Sequence, residues 1–124
     1  MNQGKPKIIL CGEKITLDKA LVQTLKEFSD VEVFSNSCDF LILSSRTDQE
    51  LILWEISASG KKQLKELSFI KNKYPDIKII IIIESPSTKI AAEILKAGAS
   101  DIFPKPVDHD LLIDRIVALL SLKN

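Results

Sequence analysis

A chain of 124 residues, 45% hydrophobic and 27% charged, has the composition of one globular domain and is long enough to bury a core. Its 17 lysines and arginines balance 17 aspartates and glutamates, so neither nucleic acid nor a membrane is expected as a direct partner. The longest apolar run is too short to span a bilayer, and the opening MNQGKPK lacks the apolar stretch of a secretory leader. The expectation is a single cytoplasmic domain over 1–124, with 1–6 as an N-terminal tail.

Lys7 to Cys11 reads as a buried strand, followed by a Gly12-Glu13-Lys14 loop. Thr16 to Phe28 sets Leu17, Ala20, Leu21, Leu25 and Phe28 on one face of an amphipathic helix, with Asp18, Lys19, Gln23 and Lys26 opposite. Val31 to Phe34 is a second strand. Ser37 to Ser45 fits either a helix or a strand, the helix being favoured, and residues 46–49 form a polar loop. Leu51 to Trp54 is a third strand ending at Glu55, and residues 57–60 turn the chain into a helix over Lys61 to Lys73 with Leu64, Leu67, Phe69 and Ile70 inward. Ile77 to Ile83 is almost unbroken isoleucine between Pro75 and Ser85-Pro86, the pattern of a central strand covered on both faces.

Thr88 to Ala97 then places Ile90, Ala91, Ile94 and Leu95 at helical spacing, and Gly98 suits the left-handed geometry that ends a helix. Asp101 to Phe103 is a short strand. Lys105-Pro106 follows, a bond of the kind that adopts the cis form where a strand turns sharply. Asp108 caps a last helix with Leu112, Ile113, Ile116, Val117 and Leu120 inward. Five strands alternating with five helices predict an α/β, flavodoxin-like (βα)5 three-layer sandwich around a parallel sheet of order 2-1-3-4-5. Ligands in such sheets bind beyond the carboxyl ends of the strands, which directs attention to Cys11-Gly12-Glu13, Glu55-Ile56-Ser57, Ile83-Glu84-Ser85 and Lys105.

The segment KAGASDIFPKPVD, residues 96–108, resembles the C-terminal third of the response-regulator receiver domains of bacterial two-component signalling, and the order of elements extends that resemblance over nearly the whole chain. In that family a first-strand acidic pair holds Mg²⁺, a third-strand aspartate accepts phosphoryl, and a lysine before a proline contacts the phosphorylated aspartate. The resemblance places that lysine at Lys105 and, through ELILWE, the acceptor at Glu55. It places the acidic pair at Cys11 and Gly12, neither of them an oxygen-bearing side chain, with Glu13 one position too far along and pointing away. The hydroxyl of the fourth strand becomes Ile83 and the switching aromatic of the fifth becomes Ile102. No metal and no cofactor are therefore expected. Glu55 is a methylene longer than aspartate, which is expected to push its carboxylate outward; it reads either as a partner of Lys105, with Glu84 competing, or as a polar strand end facing water.

These departures imply a pseudo-receiver, a phosphorylation-independent signalling domain whose partner is another protein or a second copy. The family's output face would fall on Lys89, Glu93, Lys96, Ile102 and Arg115. Three alternatives stand beside it. A weakly phosphorylatable receiver in a phosphorelay would use Glu55 or a serine of 57–59. A Cys11-based phosphoryl carrier or phosphatase would use the thiol, although the arginine that a phosphatase loop needs six residues on is Leu17. A nucleotide- or small-molecule-binding domain would use the same crevice, although the glycine-rich phosphate loop that a nucleotide needs is not present. Cys11 and Cys38 have no CxxC or metal-ligand spacing and read as buried reduced thiols rather than a disulfide. The single histidine, His109, reads as a solvated first-turn residue.

Overall fold

A computed structural model describes residues 5–35, 50–56 and 61–121, with the side chains of Lys61 and Lys62 not described. The helix expected at 37–45 lies outside these residues. Strands β1 (Lys7–Cys11), β2 (Asp30–Phe34), β3 (Leu51–Ile56), β4 (Lys78–Ile83) and β5 (Asp101–Pro104) form one parallel sheet of order β2-β1-β3-β4-β5. Helices α1 (Lys19–Phe28), α2 (Lys61–Lys73), α3 (Thr88–Lys96) and α4 (His109–Ser121), with a 3-10 turn over Ile15–Leu17, complete the described elements. None is long and apolar enough to cross a membrane.

The isoleucine run is explained by two cores, one on each side of the sheet. Successive strand residues point to opposite faces. Ile9, Cys11, Ile52, Trp54, Ile79, Ile81 and Ile83 pack with Leu67 and Ile70 of α2 and Ile94 of α3. Ile8, Leu10, Leu51, Leu53, Ile80 and Ile82 pack with Leu21 and Leu25 of α1 and Leu112, Ile116 and Leu119 of α4. Every residue of β4 after Lys78 is buried, so a polar side chain at any of them would lose water without gaining a partner.

Five positions expected on apolar helix faces are exposed, Ala20 among them. Leu17 is 74% exposed, because the chain makes a 3-10 turn over Ile15–Leu17 and α1 begins only after Asp18. Asp18, read as one of several solvated residues, is the helix N-cap, its side chain accepting from the Leu21 amide at 3.1 Å. Phe69, Leu95 and Val117 are also exposed, whereas Leu119, not expected inward, is buried. In α2, α3 and α4 the apolar residues outnumber those that the packed face covers.

At the amino ends of the strands, Gly98 (φ +122°) ends α3 and lies across the stem of Lys71, whose ammonium donates to the Ile77 carbonyl at 2.7 Å. A Cβ at Gly98 would lie 2.6 Å from Lys71 Cγ. Gly98→Ala is expected to lower stability by about 1–3 kcal/mol, most of it backbone strain. Urea denaturation checks this, and a loss below about 0.5 kcal/mol would contradict it.

Candidate functional site at the carboxyl ends of the strands

The sheet order brings the ends of β1, β3, β4 and β5 to one crevice. Glu55, the penultimate residue of β3, turns its side chain into that crevice instead of outward and is only 7% exposed. Its Oε1 accepts from the backbone N–H groups of Lys14 and Ile15 at 2.8 and 3.0 Å, and its Oε2 pairs with the Lys105 ammonium. Both expected outcomes for Glu55 that left it in water, the outward push and the polar strand end, are thus corrected. The added methylene lets the carboxylate bend over to the β1–α1 loop, where donors replace the water it gives up.

Gly12 makes this bend possible. Its φ of +143° lies where a side chain is strained, and a Cβ built there would come within 2.5 Å of both Cβ and Oε1 of Glu55 and 2.9 Å of Ile15 Cγ2. The loop is further fixed by the Thr16 hydroxyl donating to the Gly12 carbonyl at 2.7 Å and by the Gly12 amide donating to Phe34 at 3.0 Å. Lys105 is held by its own amide, which donates to the Ile83 carbonyl at 3.2 Å, and is followed by the cis Lys105–Pro106 bond. Ile83 is fully buried. Ile102 packs, partly buried, against the core on the α2–α3 side. Glu13 and Glu84 are exposed, and the lysine's acidic partner in the structure is Glu55.

Burial pushes the Glu55 carboxyl up, but the Lys105 hydrogen bond, the two amides and the lysine's charge together hold it below its ordinary value of 4.5. A carboxyl whose native value is depressed contributes stability above its unfolded value and loses it as pH falls through the native one. Acid unfolding of the wild type should therefore include a component below about pH 4.5. Glu55→Gln should flatten that part of the stability profile, measured by urea titrations from pH 7 down to about 2.5; an unchanged slope would show the carboxylate to be energetically idle.

Cys11 is disulfide-bonded and fully buried, which corrects the expectation of a reduced thiol and leaves no thiolate there for the phosphoryl-carrier or phosphatase alternative. The one other cysteine in the sequence, Cys38, lies outside the described residues. Spacing along a chain does not report which side chains a fold brings together. His109 stands in the first turn of α4 as expected and its side chain is 38% exposed; in addition its Nε2 lies 2.7 Å from Asp18 Oδ2, tying the start of α4 to the cap of α1.

The other expected residues lie away from the crevice. Lys89, Glu93 and Lys96 are on α3, with both lysines exposed. Arg115 of α4 brings Nε within 2.9 Å of Asp101 Oδ2 on β5, a charge contact whose angle is not that of a hydrogen bond. Sequence reasoning missed the Lys14 and Ile15 amides, which as backbone groups carry no residue signature; Gly12 was the only visible trace.

No protein-family model matches the sequence, and no curated protein matches it. Solved structures do match. A CheY-like response regulator receiver domain protein from Methanospirillum hungatei is 21% identical with a TM-score of 0.81, the match covering 95% of this chain and 95% of that one. The chain has the receiver fold. An orphan response regulator of H. pylori superposes with a TM-score of 0.81 at 21% identity, covering 96% of this chain and 99% of that one. A pilus assembly-related protein from Burkholderia pseudomallei, 13% identical, reaches 0.80 over 98% of this chain and 93% of that one.

The receiver fold carries with it the question of Mg²⁺. Among the described residues the crevice has one carboxylate, and that carboxylate is already bonded through both oxygens to an ammonium and two N–H donors. Mg²⁺ requires several hard oxygen ligands in a near-octahedral array. The residues present do not fit it, and among the described residues no cluster of three or more metal-ligating side chains occurs elsewhere.

Proposed function

We propose that this receiver-fold domain is a phosphorylation-independent, non-catalytic pseudo-receiver that signals from the cytoplasm by binding another protein or a second copy of itself. The observation that supports it is Glu55: the side chain at the acceptor position is bonded through both oxygens to Lys105 and the β1–α1 loop. Phosphoryl transfer is catalysis by positioning and charge neutralisation. An acceptor oxygen held by an ammonium is not free to attack, and Cys11 and Gly12 offer no carboxylates beside it to hold a divalent ion that would neutralise the donor. Ile83 offers no hydroxyl to a phosphoryl group, and Ile102 no ring to rotate, so the conformation of the crevice is constitutive. The proposed contact face comprises Lys89, Glu93, Lys96, Ile102 and Arg115, mixed charge around an apolar centre.

Incubation of the full chain with Mg²⁺ and acetyl phosphate, followed by intact-mass measurement, tests the reading. The expected result is no mass gain. A gain of one phosphoryl group on Glu55 or on a serine of 57–59 would replace it with the weakly phosphorylatable receiver. The face is tested separately by reversing charge at Lys96 and Arg115 together. That double variant should weaken self-association or partner binding at least about tenfold with little change in melting temperature, since rim charges act mainly on encounter and register; unaltered binding would exclude this face.

A further inference from the structure

The crevice that in the resembling family presents carboxylates to a cation presents hydrogen-bond donors here. Two N–H groups from consecutive loop residues converge on one oxygen of Glu55, and an ammonium from the far side of the crevice takes the other. Both oxygens of a planar carboxylate are thus recognised, from two separate segments of chain. We infer that this crevice has reversed its polarity: it is a carboxylate-binding cradle, closed by Glu55 as a tethered ligand, and it accepts a free small carboxylate once that side chain is removed. The inference rests on the reading of Glu55 as the crevice's fixed occupant.

Three features carry it. The Glu55 side chain is 7% exposed, so its carboxylate is largely withdrawn from water, although the Lys14 amide and the 25%-exposed Lys105 side chain lie nearer the surface. Cutting the side chain away leaves an ammonium and two amides without that partner in a partly closed site, where unpaired donors are costly and a small anion is favoured. The cradle is also shaped for its occupant: Gly12 has no Cβ where one would sit 2.5 Å from Glu55 Cβ and Oε1, so truncation at position 55 opens room beside an already bare backbone. Finally, the sign of the site disfavours cations. A divalent ion placed there would face the Lys105 charge and the positive ends of two N–H dipoles.

The test uses the full chain as wild type, Glu55→Ala and the Glu55→Ala/Lys105→Met double variant. Each is titrated with sodium formate and, separately, with sodium chloride at matched ionic strength, while the Lys14 and Ile15 amide resonances are followed by NMR. For Glu55→Ala, formate should give a saturable shift confined to those amides with a millimolar midpoint, the weak affinity that a ligand of three heavy atoms can reach, and chloride should not. The wild type should show no saturable response to formate or to MgCl₂. The double variant should lose at least about tenfold in affinity. Equal responses to chloride and formate, or a wild type that responds as Glu55→Ala does, would overturn the inference.

Should Glu55→Ala not fold, the wild type still tests the premise on which the cradle stands. Its Lys14 and Ile15 amides should move together along one acid titration curve as Glu55 is protonated, and amides that stay still would show that no carboxylate is held there. Phosphoryl uptake is read by mass on the wild type, so the pseudo-receiver reading and the cradle can each fail independently.

Discussion

Trp54→Ala should lower the free energy of unfolding by about 3–5 kcal/mol, the range for removing a large aromatic from a packed core. Trp54 is 1% exposed in the middle of β3, opposite Cys11 on β1 and Ile81 on β4, and it packs in the core beneath α2 and α3. Three parallel strands meet there, and rigid strands on both sides leave little scope for collapse into the cavity. Because it is the only tryptophan, the measurement must follow circular dichroism through a urea titration rather than fluorescence. Phe69→Ala is the internal comparison. That ring is more than half exposed and has the Lys73 ammonium 5.9 Å from its centroid, a contribution of about 0.5–1 kcal/mol at an exposed site. If the two substitutions cost the same, the packing of this face is not as described.

The second large effect is expected at Gly12. Gly12→Ala introduces backbone strain of about 1–3 kcal/mol at a φ of +143°, and overpacking of a further ~1–3 kcal/mol, since the new Cβ would overlap Glu55 and Ile15. The two costs can be separated. Glu55→Ala removes the overlapping atoms beyond Cβ but leaves the backbone strain, so Gly12→Ala and Glu55→Ala together should cost less than the sum of the single variants, by about 0.5–3 kcal/mol of coupling. Strictly additive losses would mean that Gly12 serves the turn alone and that Glu55 occupies the crevice without its help.

Gly12 also shows how far residue types report a site. The strands were legible because β-branched runs buried on both faces have no other comfortable state in water, and the parallel order followed from their alternation with helices. Glu55 and Lys105 were legible as a pair through their places at strand ends. The direction of the Glu55 side chain was not, because it depends on a missing Cβ at Gly12 and on the amides of Lys14 and Ile15, which any residues there would supply. Helix faces were read too widely for a related reason. Periodicity finds the apolar stripe of a helix such as α4 but not its edge, so it points Val117 inward and passes over Leu119, the reverse of their burial. The His109–Asp18 contact joins positions 91 residues apart, beyond the reach of any local pattern.

The short last strand has a consequence for how copies of this domain can meet. β5 has four residues, ends in Pro104 and forms one margin of the sheet. An open margin is a template on which a foreign strand can add by backbone pairing, and a short, proline-ended margin flanked by charge is poorly suited to that. Pro104 has no N–H to donate, and the Asp101–Arg115 contact sets charge at the other end. Along this border sheet extension of the amyloid kind is disfavoured, so any contact between copies there would use side chains rather than an added strand.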